Sequence, residues 1–378
     1  MVLLGAAIVP AAKLSTLIEV GLDQRPTGSV TARETINGVV DTLTTWDGRW
    51  YFELVRSWYP HSVSPHITYD DPGASAAFFP VYPALVRAAN VGLPGGDVTA
   101  GIAVNFALGS LFIYTVGVLA RRWFDADTAK RAMMLACLYP GSFVLSITYS
   151  EATLLVAAAA CFLALEHQRW MLAGLAGLVA GASRPNGAAV VLACAVVAFH
   201  EVRRRDDKRR NWQALISVAV APIGTMGALW YIGHQAHEPL VWFRVQREAW
   251  GEGTSFGVTA VRHIGRFAVS PFSSPTNVVT TMSVLSLVIG LMALWRVRAG
   301  VPKYAVVYCI GVVLLMVAPS TVTARPRFVY TAFPLIIAVA AAWPARWRGE
   351  VWQLACSLCG ATLVAVVALY GLYAVVIP

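Results

Sequence analysis

Residues 171–199 read MLAGLAGLVAGASRPNGAAVVLACAVVAF, and this stretch decides the fold class. A helix that spans a bilayer needs about 20 mostly apolar residues, so the run is too long for one span and too short for two. Its centre holds Arg184, Pro185 and Gly187. Pro and Gly break a helix, and a charged residue at membrane depth must line a polar cavity. We therefore predict two half-length helices, a broken hairpin with both ends on one side of a membrane.

Further apolar runs extend this pattern along the chain. Of its 378 residues, 57% are hydrophobic and only 13% are charged, about half the charged fraction of a typical soluble domain, which excludes a water-soluble enzyme. The runs lie near residues 1–22, 97–120, 132–149, 152–166, 214–233, 277–295, 303–319, 328–343 and 351–377. With the broken hairpin they predict an all-α integral membrane protein, a polytopic helical bundle of about 11 transmembrane segments in one domain over residues 1–378.

The basic residues set the orientation of this bundle. The net charge is +9, and most Lys and Arg residues lie in five short connections, at 121–131, 169, 201–213, 296–303 and 346–348. Because short cytoplasmic loops carry excess Lys and Arg, we place these connections inside, so that 23–96 and 234–276 become extracytoplasmic loops. The stretch 76–93 is predicted to lie on the outer surface as a helix. The charge is therefore a topology signal, and no nucleic-acid partner is expected.

The first extracytoplasmic loop contains TWDGRWYFEL, residues 45–54. Trp46, Trp50, Leu54 and Trp58 recur every four residues, which indicates one apolar face of a helix. Since Trp favours the headgroup layer, we predict that this helix lies flat on the outer leaflet and ends at Pro60. Asp47 falls in its first turn. There it either satisfies the helix N-terminus or serves as a carboxylate at the lipid–water boundary that accepts a proton.

Seven short segments, taken in their order along the chain, resemble one family. They are Trp46-Asp47-Gly48, Phe78-Phe79-Pro80-Val81-Tyr82-Pro83, Tyr139-Pro140-Gly141-Ser142, Tyr149-Ser150-Glu151, Arg184-Pro185-Asn186-Gly187, Val245-Gln246-Arg247-Glu248-Ala249-Trp250-Gly251 and Arg325-Pro326-Arg327-Phe328. This pattern is similar to the PIG-V family, the GPI mannosyltransferase 2 proteins and their bacterial relatives, within the GT-C glycosyltransferase superfamily. The resemblance spans roughly residues 40–335. Gly48 departs from it, since alanine is usual there in the eukaryotic members.

The resemblance implies a multi-pass transferase that takes mannose from a polyprenyl- or dolichyl-phosphate donor on the extracytoplasmic face. The acceptor is then a glycan, glycolipid or protein, and Asp47 occupies the catalytic position of an inverting single displacement. A weakly nucleophilic hydroxyl benefits from such a base, whereas a lipid phosphate leaves as an anion and needs cations. Arg184, Arg325 and Arg327 are the candidates for the phosphate. The alternative for Arg325 and Arg327 is that they anchor a helix end at the interface.

Further candidates for substrate binding lie in or beside the same segments. They are Trp46, Glu53, Asp70, Asp71, Phe79, Tyr82, Tyr149, Glu151, Asn186, Gln246 and Trp250. Asp70 and Asp71 are also the second choice for the acid, although the sequence Asp70-Asp71-Pro72-Gly73 is a turn signal in its own right. Tyr149 and Glu151 either position a substrate or cap a turn. We expect no metal or other cofactor, with a divalent metal as the alternative.

Two other functions fit the same sequence. A sibling GT-C enzyme would move glucose or arabinose, and motif patterns do not separate these sugars from mannose. A transporter or flippase also uses broken helices with buried charge, but it would need matching sites in two symmetry-related halves. We expect a multi-pass protein of the plasma membrane for a bacterial source and of the endoplasmic reticulum for a eukaryotic one.

Overall fold

The computed structural model describes residues 32–204, 211–259, 262, 265, 269–271, 273, 275–319 and 325–371. Within these residues the chain forms α-helices and short 3-10 helices, and its extended pairing is one isolated bridge between Thr254 and Pro319. The predicted all-α class is therefore confirmed. The run at 1–22, predicted as the first span, lies outside the described residues.

The described helices are numbered in chain order. They are α1 Ala32–Thr44, α2 Asp47–Arg56, α3 Val81–Gly92, α4 Gly96–Trp123, α5 Ala126–Leu138, α6 Glu151–Glu166, α7 Trp170–Ser183, α8 Ala189–Arg203, α9 Leu215–Gln235, α10 Val241–Ala249, α11 Pro275–Val297, α12 Lys303–Val317, α13 Pro326–Thr331, α14 Pro334–Ala342 and α15 Glu350–Gly371. Short 3-10 helices lie at Pro72–Ala77, Pro140–Leu145, Pro185–Ala188 and Ala345–Trp347.

Several of these helices are suited to a bilayer. Among the described residues, five segments are long and apolar enough to cross it: Gly96–Trp123, Pro185–Arg203, Leu215–Gln235, Asn277–Val297 and Glu350–Tyr370. The apolar helices α7 and α12 are shorter. The protein is thus an all-helical, multi-pass membrane protein. The count of about 11 spans and the side on which residues 23–96 and 234–276 lie stay predictions.

The predicted break in the stretch 171–199 is present. Helix α7 ends at Ser183, Arg184 is extended, and a 3-10 turn over Pro185–Ala188 leads into α8. Pro185 occupies the first position of that turn, where its missing amide costs least. The predicted break at Arg184 is therefore confirmed, but the prediction of two half-length helices is not, because the segment Pro185–Arg203 is long enough to cross a bilayer.

Two other predicted spans are wrong as single helices. In 132–149, α5 ends at Leu138, and Pro140 starts a 3-10 turn instead. In 328–343, a break before Pro334 separates α13 from α14. Hydropathy measures only apolar content, whereas proline removes the amide that would continue each helix. The two breaks also meet, because a side chain at Gly141 would collide with the carbonyl of Pro326.

The helix at Asp47 differs from its prediction in length and in environment. Helix α2 ends at Arg56, well before Pro60. Its apolar face packs inside the protein, since Trp50 is 1% exposed and Leu54 is fully buried. The predicted contact of this face with lipid headgroups is therefore wrong. A four-residue period shows that one face is apolar, but it does not show what covers that face.

The bundle is organised around α6 and α7. Helix α7 packs between α6 and α9, while α4 packs on both α5 and α6. A second cluster, in which seven of the 20 buried residues are aromatic, joins α2, the chain at 67–82 and α10, and we call it the aromatic cluster. Its largest buried members are Trp50, Tyr51, Phe79 and Tyr82. Asp47 is the first residue of α2, the helix that contributes Trp50 and Tyr51 to this cluster.

Candidate active site

Asp47 is the first residue of α2 and is partly exposed, with 16% of its side chain accessible. Its Oδ2 accepts a hydrogen bond from Nη1 of Arg327 at 2.5 Å. The two residues lie 280 positions apart along the chain. The fold therefore joins the segment at Asp47 to the segment at Arg327 through a charge-assisted hydrogen bond.

Glu151 extends this contact into a row of alternating charges. It is the first residue of α6 and only 1% of its side chain is exposed. Its Oε1 lies 3.5 Å from Nη1 of Arg327, and its Oε2 lies 3.0 Å from Nη1 of Arg184. We call this row of four contacting residues the charge row: Asp47, Arg327, Glu151 and Arg184. Each of the four comes from a different motif segment.

Arg327 of the charge row remains charged at neutral pH. Burial alone lowers the pKa of Arg327, but the charges of Asp47 and Glu151 outweigh it and raise that pKa above its ordinary value. Burial and the charge of Arg327 lower the pKa of Arg325 to about 10. Asp47 also acts on Arg325, which is the N-cap of α13, so Arg325 belongs to the same electrostatic site.

Arg327 also carries a donor with no bond in the described part of the chain. Its Nε is buried and has no hydrogen-bond partner there. Leaving a buried donor unpaired costs about 1–3 kcal/mol, and such groups in native proteins call for an explanation. An anionic ligand at this point would accept that hydrogen bond.

Ser150 and Tyr51 connect the charge row to α2. The Ser150 hydroxyl accepts a hydrogen bond from Nη1 of Arg184 at 3.1 Å and shares a short one with the Tyr51 hydroxyl. Burial raises the pKa of Tyr51 to about 12, and the charge of Arg184 only partly offsets it. Tyr51 is therefore a protonated hydrogen-bonding group and not a base.

Tyr149 contacts Asp47 through the backbone. The Asp47 amide donates to the Tyr149 hydroxyl at 3.3 Å. Asn105 on α4 holds the chain beside it, since its Nδ2 donates to the Tyr149 carbonyl at 2.8 Å and to the Ile147 carbonyl. The segment 147–149 is thus fixed against α4 with its tyrosine at the start of α2.

Thr148, in the segment 147–149, explains why residue 48 is a glycine. A side chain at this position would place its Cβ 2.8 Å from the Thr148 hydroxyl oxygen, closer than atoms pack. That hydroxyl is held in place by its hydrogen bond to the Leu43 carbonyl at 2.7 Å. A glycine at position 48 therefore permits the close approach between α2 and Thr148.

Asn186 joins the broken helix to α13. Its Nδ2 donates to the Thr331 hydroxyl at 3.2 Å. Its Oδ1 is buried, and the described residues offer it no partner. Asn186 lies two positions after Arg184 and its partner four positions after Arg327, so the amide reinforces the junction of the two motif segments.

The other predicted binding residues lie in or beside the two hydrophobic clusters. Phe79, Tyr82, Gln246 and Trp250 belong to or border the aromatic cluster. There the Tyr82 hydroxyl donates to the Gly101 carbonyl, and the rings of Trp250 and Trp50 lie 6.0 Å apart. Trp46, beside Asp47, packs against the core of the bundle.

The acids of the loop are separated from each other. Asp71 caps the 3-10 helix at 72–77 by accepting the Gly73 amide at 2.8 Å. Asp70 is 86% exposed and lies 3.5 Å from Arg49. Glu53 is half-buried on α2. The contact of Asp71 is the turn chemistry that its sequence context predicts, and neither Asp70 nor Asp71 forms an ion pair with an arginine of the charge row.

Sequence reasoning missed several residues of the site. They are Tyr51, Asn105, Ser150 and Tyr370. Asn105 carried a usable signal, because an amide within an apolar span needs buried partners. Tyr370, in the last apolar run, carried none.

As for metals, no group of three His, Cys, Asp or Glu side chains that could hold an ion occurs within the described part of the chain.

Comparisons with known proteins give distant similarity only. No protein-family model matches the chain, and curated proteins give no match. The apo oligosaccharyltransferase of Archaeoglobus fulgidus is 13% identical, over 98% of this chain and 56% of that one, with a TM-score of 0.48. The same enzyme tethered to an acceptor peptide is 14% identical, over 98% of this chain and 55% of that one, with a TM-score of 0.44.

A third structure is ArnT from Cupriavidus metallidurans bound to undecaprenyl phosphate. It is 14% identical, over 92% of this chain and 77% of that one, with a TM-score of 0.46. This chain therefore spans only about half the length of the archaeal oligosaccharyltransferase. Scores below 0.5 do not establish a common fold, so the function must be argued from the residues of the site.

Proposed function

We propose that this protein is a membrane glycosyltransferase that moves mannose from a polyprenyl- or dolichyl-phosphate donor to an extracytoplasmic glycan, glycolipid or protein. One observation carries the proposal. Four motif segments, distant in sequence, bring Asp47, Glu151, Arg184 and Arg327 into one mostly buried charge row. A buried cluster of shared charges is costly to form, which favours a functional role over a structural one.

The charge of the site suits a phosphodiester. Asp47 and Glu151 form ion pairs with Arg184 and Arg327, and Arg325 adds a third guanidinium that interacts electrostatically with Arg327 and Asp47. A lipid-phosphate sugar carries one negative charge on its phosphate. The unpartnered Nε of Arg327 supplies a donor for that phosphate, and arginine binds phosphate in two-point geometry.

The group transfer follows from this arrangement. The acceptor hydroxyl oxygen attacks the anomeric carbon of the sugar, and its proton passes to the Asp47 carboxylate. The bond between that carbon and the phosphate oxygen breaks, and the lipid phosphate leaves with the electron pair, stabilised by the arginines. Arg327 bonds to Oδ2 of Asp47, so Oδ1 is the oxygen assigned to the proton.

The identity of the sugar rests on the resemblance of the motif segments to the PIG-V family. The extracytoplasmic location rests on the placement of the basic connections. Independently of both, a carboxylate paired with arginines at a mostly buried site supports sugar transfer from an anionic lipid. A different sugar would leave that chemistry unchanged.

The test is transfer of labelled sugar by the purified protein, with a membrane extract as acceptor source. Mannosyl, glucosyl and arabinosyl polyprenyl phosphates are supplied separately. We expect transfer from the mannosyl donor. Transfer from another donor alone would keep the enzyme class and replace the sugar. If folded protein embedded in lipid transfers no sugar from any of the three donors, the proposal is overturned in favour of a transporter.

A further inference from the structure

The start of α2 has an unusual backbone. Trp46, the N-cap of this helix, has φ of 54° and ψ of −123°, a conformation that bulky residues rarely adopt. Its side chain gives the helix no capping hydrogen bond. Such a backbone persists only where the surroundings hold it, and it is found preferentially at functional sites. Here it places Asp47.

Two tyrosines hold this turn. The Asp47 amide donates to the Tyr149 hydroxyl at 3.3 Å, and the Tyr370 hydroxyl donates to the Thr45 carbonyl at 3.1 Å. The two hydroxyls lie 3.3 Å apart. The Tyr370 hydroxyl thus has two acceptors for its proton, the Thr45 carbonyl and the Tyr149 hydroxyl. These contacts connect the backbone after Trp46 to the backbone before it.

Both tyrosines lie outside α2. Tyr149 precedes α6, and Tyr370 lies near the end of α15. Tyr370 is 1% exposed and its ring packs on Phe143, with centroids 5.7 Å apart. Its packing holds the ring in place, whereas only its hydroxyl reaches the turn. Loss of the hydroxyl alone should therefore spare the fold.

We propose that Tyr370, acting through Tyr149, is a positioning residue that fixes the turn at Trp46 and so holds the Asp47 carboxylate against Arg327. Tyr149, predicted from the sequence as a substrate-binding residue, then acts on Asp47 and not on the substrate. The predicted slowing of sugar transfer rests on the proposed function. The predicted change in hydrogen exchange of the Asp47 amide does not depend on that function.

The hydrogen bonds by which Tyr149 and Tyr370 hold residues 45–47 form what we call the clamp, and hydrogen–deuterium exchange tests it without reference to activity. Tyr370→Phe should make peptides that contain residues 45–48 exchange about three to ten times faster than in the wild type. Tyr59→Phe is the matched control, since Tyr59 is also buried and donates to one carbonyl, that of Phe78 at 2.6 Å. We expect it to leave these peptides unchanged. If Tyr370→Phe does not fold, Tyr149→Phe removes the acceptor of the Asp47 amide directly.

Kinetics then test the positioning role. Tyr370→Phe should lower kcat for transfer about three- to tenfold with donor KM within about twofold, because the base is misplaced while the phosphate site is intact. Unchanged exchange at residues 45–48 would overturn the clamp. Faster exchange with wild-type kcat would overturn the positioning role. Faster exchange in a protein whose wild type transfers no sugar would support the clamp and defeat the proposed function alone.

Discussion

Helix α6 begins with one glutamate and ends with another, and the two are used differently. Glu151 and Glu166 lie about 22 Å apart along the helix. At the far end, Glu166 accepts hydrogen bonds from Trp123 and Tyr304 at 2.6 Å each. Its other oxygen lies 2.6 Å from Nε of Arg122, whose side chain is 40% exposed.

At the Glu166 end, one carboxylate oxygen accepts two hydrogen bonds and the other forms an ion pair with a partly exposed arginine. These contacts join α4, α6 and α12, and the unbonded buried atom there, Glu166 Oε2, is an acceptor that faces a cation. At the Glu151 end, Arg327 pairs with both Asp47 and Glu151, and Arg184 pairs with Glu151. Nε of Arg327 is buried there and has no hydrogen-bond partner among the described residues. The two ends therefore differ in kind: an unbonded acceptor lies beside a cation at Glu166, whereas an unbonded donor, Arg327 Nε, is buried at the Glu151 end.

Removing one carboxylate charge from each end gives the largest contrast. Glu151→Gln should lower transfer per folded protein about 100-fold, because Arg327 and Arg184 lose their common partner and Asp47 shifts. Glu166→Gln, its control, should transfer within about twofold of the wild type at that distance. Both should unfold at lower temperature, since each loses a buried charge partner. Equal losses of transfer would make both ends structural.

Replacing an arginine by lysine at each end gives a smaller contrast. Arg327→Lys keeps the charge but loses the two-point geometry, so kcat/KM for the donor should fall about 10- to 100-fold. Arg122→Lys should leave it unchanged. The measurement is donor kinetics at saturating acceptor. A normal kcat/KM in Arg327→Lys would return this residue to the alternative role of an interface anchor.

The smallest effect concerns stability at the Glu166 end. Asp125, just after α4, accepts the Thr128 amide at 2.6 Å and so caps α5, and this bond lowers the pKa of Asp125. Asp125→Ala should destabilise the protein by about 1 kcal/mol at pH 7 and spare transfer. Because the folded pKa is depressed, the loss should vanish as pH falls through that pKa, and the two melting curves should converge. Persistence at low pH would contradict the cap.

The sequence was sufficient for the fold class and for the break at Arg184, because apolar length and proline act locally. It failed at Pro140 and Pro334, where apolar runs contain breaks that hydropathy ignores. It also failed for the face of Trp50 and Leu54, since a periodic pattern does not distinguish lipid from protein. What covers a helix face depends on how the whole chain folds, and the sequence of the helix alone does not give it.

The site shows the same division. The motif segments marked Asp47, Glu151, Arg184 and Arg327, but not that Glu151 lies between the two arginines. That contact depends on how α6, α7 and α13 pack. Tyr370 was beyond prediction, because a tyrosine in an apolar run reads as packing until its partner, the Thr45 carbonyl, is in place.

The most direct measurement of the central claim is sugar transfer by Asp47→Asn beside Asp41→Asn. The first removes the charge and keeps the shape of the proposed base. The second makes the same change six residues away, at an exposed position of α1. We predict no transfer by Asp47→Asn, with donor binding retained, and wild-type transfer by Asp41→Asn. Full transfer by Asp47→Asn would contradict the assignment of Asp47 as the base.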